Sequence, residues 1–202
     1  MVPPSLLTLP PGPGRANPLA GAGGAMLVKI QPGEFYVTSP PELITTLVGS
    51  CVAACICDPG RGVGGMNHFM LPAGFGADAH SNRYGDQAME NLIQGVLAAG
   101  GRRERLEVKI FGGGNMGRTQ STVGERNVRF VKEFLQREKL TVIAGCLLGE
   151  VARKIVYEPG AGRAWVWKLP PLRHAEGEDP AGPPDLPPNQ LERMGSQCRR
   201  SG

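Results

Sequence analysis

A cysteine and a histidine set among small residues are the parts of an activated thiol nucleophile, and this chain has one such pairing. Cys51 closes the run Thr45-Thr46-Leu47-Val48-Gly49-Ser50-Cys51, and Gly64-Gly65-Met66-Asn67-His68 follows seventeen residues on. Glycine lets a substrate approach the backbone closely and frees N–H groups for an oxyanion, which gives Gly49 and Ser50 a possible share in the site. Each residue also has a plainer reading. Cys51 can be a small buried apolar side chain, and His68 can be a core histidine with satisfied nitrogens. Cys55 and Cys57 sit mid-run among apolar residues and read as core. A metal set of Cys51, Cys55, Cys57 and His68 fits poorly, because structural zinc sites pair their cysteines on turns and these lie inside a hydrophobic segment. His80, in a loop, and His174, near the C-terminus, are weaker candidates. Gly112 to Gly117 lacks the Lys-Ser/Thr ending of a phosphate-binding loop and reads as a Gly-rich turn.

The elements that must position these residues lie between residues 26 and 169. Of the 19 prolines, six fall in residues 1–25 and seven in residues 170–202. Both ends therefore read as disordered extensions that bury little apolar surface. Between them, strand-like runs appear at Leu27 to Ile30 and Phe35 to Val37, around the turn Pro32-Gly33. Leu43 to Leu47 is another. Cys51 to Cys57 is apolar on both alternating sets and suits a buried strand or a buried helix. Val63 to Leu71 reads as a strand. A helix of about 14 residues, capped by Asp86, carries Ala88, Met89, Leu92, Ile93, Val96 and Leu97 at helical spacing. A second helix runs from near Gly124 to Lys139. Strands are expected at Leu106 to Ile110 and Leu140 to Ile143, and a hairpin joins Lys154 to Tyr157 with Ala164 to Trp167. The expectation is a single-domain α/β fold, one mixed sheet system covered by helices.

Net charge is +4 at pH 7, spread over the core without basic blocks, so nucleic acid is not suggested as a partner. No apolar stretch reaches the length of a membrane helix, and the N-terminus lacks the pattern of a signal peptide. A cytoplasmic protein is expected. Five cysteines, an odd number, argue against a disulfide framework.

Five motifs occur in one order: Gly49-Ser50-Cys51-Val52-Ala53, Gly64-Gly65-Met66-Asn67-His68-Phe69-Met70-Leu71-Pro72, Arg83-Tyr84-Gly85-Asp86, Lys109-Ile110-Phe111-Gly112-Gly113 and Val123-Gly124-Glu125-Arg126-Asn127. Together they resemble the chemoreceptor glutamine deamidase family of bacterial chemotaxis, CheD, over about residues 26–169. The resemblance implies an α/β sandwich like that of glutamine-deamidating toxins. It implies a protein-glutamine glutaminase that hydrolyses glutamine side chains to glutamate on methyl-accepting chemotaxis receptors and needs no cofactor. The family's nucleophile falls on Cys51, its histidine on His68 and its threonine on Thr45, with a thiolate–imidazolium pair as the reactive form. Some members bind a CheC-type phosphatase. The chain departs from the family pattern at Gly145-Cys146-Leu147-Leu148-Gly149. That departure keeps a second reading open, an adaptor that docks on receptors or a phosphatase with little deamidation.

Overall fold

A computed structural model describes residues 6–7, 26–72, 81, 83–116 and 122–169. His80, His174 and nearly all of the two Pro-rich ends lie outside the described residues. The elements in chain order are β1 (Leu6–Leu7), β2 (Leu27–Lys29), β3 (Phe35–Thr38), β4 (Leu43–Val48), β5 (Val52–Asp58), β6 (Val63–Phe69), α1 (Gly85–Ala98), β7 (Glu107–Gly112), α2 (Val123–Arg137), β8 (Thr141–Leu147), β9 (Arg153–Glu158) and β10 (Arg163–Lys168), with a 3-10 turn at Arg103–Arg105.

These strands form two five-stranded sheets rather than one system. The outer sheet has the order β1-β2-β4-β9-β10, and the central sheet β3-β6-β5-β7-β8. One apolar layer lies between the sheets and includes Ile44, Val48, Ala53, Cys55, Cys57, Met66, Phe111, Ile155 and Tyr157. A second layer lies between the central sheet and the helices, where Val52, Ala54, Ile56 and Phe69 meet Met89, Leu92, Val131 and Phe134. Each fully buried aliphatic side chain in such a layer stabilises the fold by about 1.5–3 kcal/mol.

The burial explains the patterning. β5 is buried at all seven positions because one face meets the outer sheet and the other meets the helices. A strand covered on both sides reads as a continuous apolar run, which is why its period alone could not separate strand from helix. The segments around Pro32-Gly33 are strands, as their composition suggests, but they do not pair with each other. β2 runs parallel to β4 in the outer sheet, and β3 pairs antiparallel with β6 in the central one. Within the N-terminal segment, Leu6–Leu7 pairs with β2.

Asp86 lies inside the first turn of α1 rather than at its cap, which is Tyr84. There its carboxylate faces the positive end of the helix dipole. The buried face of α2 carries Val128, Val131, Phe134 and Leu135, and one fully buried polar residue, Asn127.

Candidate active site

The site sits at one end of the inter-sheet layer. β4 enters it from the outer sheet, a short loop of Gly49, Ser50 and Cys51 crosses over, and β5 leaves in the central sheet. His68 lies on β6, directly opposite Ala53 of β5. Side chains two apart in a strand share a face, and diagonal cross-strand neighbours lie within reach of long side chains. Extending that register puts Cys51 on the face of Ala53 and diagonally beside His68. Consistent with this, half-exposed Cys51 packs against the inter-sheet layer that holds Ala53.

His68 is almost fully buried, and its ring is held by one hydroxyl. Thr46 Oγ1 lies 2.8 Å from His68 Nδ1 and 2.9 Å from the Ile30 carbonyl oxygen. A carbonyl can only accept, so the single hydroxyl proton goes to Ile30. Thr46 Oγ1 must then accept from Nδ1–H, which leaves Nε2 as the acceptor nitrogen of a neutral ring. Nε2 is buried and has no partner among the described residues. An acceptor nitrogen held in a fixed tautomer, on the sheet face that Cys51 shares, is what a general base needs.

Thr45, the residue to which the resemblance assigns the histidine-holding role, points elsewhere. Its hydroxyl donates to the Ile155 carbonyl on β9, at 2.7 Å. Strand alternation is the reason. Ile44 and Val48 both face the inter-sheet layer, so Thr46 between them faces it too, and Thr45 cannot. The bracketing Ile44-x-Thr46-x-Val48 was the sequence signal for this.

The loop bearing Cys51 is tied down through its carbonyls. Gly114 N–H donates to Gly49 O at 2.7 Å, and Gly113 N–H to Cys51 O at 2.8 Å. Asn127 Nδ2 donates to Ser50 O at 3.0 Å. The Gly-rich turn after β7 is thus a prop for the nucleophile loop. Gly112 has φ of +112°, and a Cβ there would lie 2.2 Å from Cys51 O, so only glycine fits. In a planar trans peptide the N–H points away from the C=O. Fixing the carbonyls of Gly49 and Ser50 therefore turns the N–H groups of Ser50 and Cys51 the opposite way, as an oxyanion hole requires.

Burial sets the charge state of the pair. It pushes the Cys51 thiol up, opposed in part by the residue's own backbone N–H. It holds the His68 imidazole down at about 4. Both effects favour the neutral forms, so the resting pair is thiol and imidazole rather than thiolate and imidazolium. Cys55 and Cys57 are fully buried. Burial raises both thiols, Cys55 strongly, with Lys109 opposing in each case.

The departing segment 145–149 abuts the same end. Leu148 N–H donates to Gly112 O at 2.9 Å, and Asn115 N–H to Gly149 O at 2.7 Å. Buried Arg153 ties the segment together through the Cys146 sulfur at 3.4 Å and the carbonyls of Leu148 and Val151.

A half-exposed thiol, a buried acceptor imidazole and a tied Gly-Ser-Cys loop on a two-sheet scaffold form a site of the thiol–histidine class, suited to acyl transfer. Residues 70–168 match the family described as CheD chemotactic sensory transduction. Three relatives, each named a probable chemoreceptor glutamine deamidase CheD, are similar to most of the chain. That of Rhodopseudomonas palustris is 49% identical over 72% of this chain and 70% of its own. That of Thiobacillus denitrificans is 52% identical over 72% and 75%. That of Hahella chejuensis is 44% identical over 75% and 74%. The chain belongs to the CheD family. A solved structure, Neisseria meningitidis protein NMB0706, aligns at 10% identity and a TM-score of 0.32 over 57% of this chain and 51% of its own, too slight a likeness to bear on the fold. No helix among the described residues is long and apolar enough to cross a membrane.

Proposed function

We propose that this chain is a protein-glutamine glutaminase that deamidates particular glutamines on methyl-accepting chemotaxis receptors, with Cys51 as nucleophile and His68 as base. The observation that carries the reading is the hydrogen bond from His68 to Thr46, which leaves an acceptor nitrogen on the face that Cys51 shares. The relatives, named as chemoreceptor glutamine deamidases, supply the substrate class.

Cys51 Sγ attacks the glutamine amide carbon, forming a C–S bond, while the thiol proton passes to His68 Nε2 and the carbonyl π pair moves to oxygen. The N–H groups of Ser50 and Cys51 receive that oxyanion. The C–N bond then breaks, and the leaving nitrogen takes the proton from His68 and departs as ammonia. A thioester remains. Water attacks it, giving a proton to His68, and the C–S bond breaks to release glutamate and restore the thiol. Because the resting pair is neutral, proton transfer accompanies attack rather than preceding it.

By the same resemblance the reading extends to a cytoplasmic location and to a CheC-type phosphatase as a second partner. The test is to incubate the protein with a receptor cytoplasmic fragment, measure released ammonia, and locate the mass change of amide to acid by peptide mass spectrometry. Conversion of defined glutamines by the native chain and none by Cys51→Ala is the expected result. Equal conversion by both proteins would remove Cys51 as nucleophile.

A further inference from the structure

Asn127 stands out among the buried polar groups that the proposed reaction steps do not use. It is fully buried on α2, on the opposite side of the central sheet from His68. Its amide nitrogen donates twice, to Ser50 O at 3.0 Å and to Met70 O at 2.8 Å. Ser50 O belongs to the peptide whose N–H is that of Cys51. Met70 follows the strand that carries His68, two residues on. A single side-chain amide therefore bridges the nucleophile loop to the end of the histidine strand. Both protons of the amide nitrogen are used, and neither goes to a neighbour on its own helix.

The geometry points to Asn127 as a positioning residue for the oxyanion hole: by holding Ser50 O it aims the Cys51 N–H at the reacting carbonyl, and by holding Met70 O it fixes that N–H relative to His68. The inference rests on the deamidase reading. It predicts where the loss falls when the amide is removed. An N–H aimed at an oxyanion acts on the tetrahedral state and not on ground-state binding, so turnover suffers and KM does not. Direct displacement on an alkylating reagent builds no oxyanion, so the reactivity of the Cys51 thiol should be untouched.

The experiment compares the native chain with Asn127→Ala, Asn127→Leu and Cys51→Ala, at a temperature where circular dichroism shows each folded. Leucine keeps the γ-branched shape of asparagine without a donor but is larger, and alanine is smaller, so a loss shared by both folded variants reports the missing hydrogen bonds rather than a cavity or overpacking. Steady-state deamidation of a receptor fragment and the rate of Cys51 alkylation by iodoacetamide are read on the same samples. In both Asn127 variants kcat should fall about 10- to 100-fold, with KM within about threefold. Cys51 alkylation should stay within about threefold of the native rate. Native turnover in either Asn127 variant would overturn the inference, as would a loss expressed only in KM. Alkylation changing in step with kcat would also overturn it, since Asn127 would then govern access to the thiol. Failure of the deamidase reading looks different: a native chain without activity, or an active Cys51→Ala, would take this inference down with it.

Discussion

Cys51 and Cys55 belong to one continuous stretch of chain and touch the same inter-sheet layer, yet only Cys51 is half-exposed. Cys55 lies mid-strand, opposite Met66 on one side and Lys109 on the other, and is fully buried. Cys51 lies four residues earlier, where the strand has given way to a loop, and is half-exposed beside the face of His68. Residue type and layer are shared, so the difference is one of position along the strand. The end of the sandwich leaves Cys51 half-exposed in a loop, near an imidazole held by Thr46. The middle offers packing alone. On the proposed reading, reactivity follows from where the sheet stops.

That contrast can be broken first at His68. His68→Ala should lower kcat about 10²- to 10⁴-fold with little change in KM, because its role is proton transfer in the transition state. Steady-state ammonia release measures both constants. A rise in KM alone would make His68 a binding residue and leave the reactive end without its base.

The next effect separates two adjacent threonines. Thr46→Val should cost about tenfold or more in kcat by freeing the imidazole tautomer. Thr45→Val should leave kcat nearly native and lower stability by about 1 kcal/mol, through loss of the bond to Ile155 O. The reverse ranking would return the orienting role to Thr45.

The pH response sharpens the account further. A histidine at its ordinary value of 6.5 would lose about tenfold of its neutral form by pH 5.5. With His68 held at about 4, a pH–rate profile should stay nearly flat through pH 5.5, halve only as pH nears about 4, and reach the tenfold loss about one unit below that. Stability has its own sign. Between about 6.5 and about 4 the unfolded chain binds a proton that the folded chain refuses. Stability is therefore present above that window and falls as pH drops through it. Denaturant titrations of the native chain and His68→Gln should show a shallower acid slope in the variant. Identical slopes would mean that the imidazole is not held neutral by the fold.

The smallest expected effect on turnover is none. Cys55→Ala and Cys57→Ala should keep native kcat and lose about 1 kcal/mol of stability each, through lost packing. Thermal melts and activity assays on the same samples check this, and a large loss of kcat in either variant would erase the distinction between strand middle and strand end.

Much of this was legible in the sequence, and the gaps have physical causes. The two helices, the C-terminal hairpin and most strands follow from apolar period and turn residues, signals local to each segment. The division into two sheets was not, because it depends on which strands pair, and β2 and β3 join different sheets on either side of the turn at Pro32-Gly33. Spacing and family resemblance brought out Cys51 and His68. The assignment of Thr45 came from a counted offset, whereas strand alternation, anchored by Ile44 and Val48, selects Thr46. Asn127 sat in a recognised motif without a role, since a helix residue that reaches two carbonyls across a sheet leaves no trace in a one-dimensional pattern. The Gly-rich turn after β7 reads as a turn in the sequence, but that its Gly113 and Gly114 N–H groups bond the Gly49–Cys51 loop depends on tertiary packing.

Progressive alkylation tests the central claim most directly. The native chain is treated with iodoacetamide, and at each time point residual deamidation is measured alongside the label at Cys51, Cys55, Cys57 and Cys146 by peptide mapping. The account predicts that activity falls in proportion to modification of Cys51 and reaches zero when that site is full, with the three buried cysteines unlabelled. Activity that survives complete modification of Cys51, or that disappears while Cys51 remains free, would contradict it.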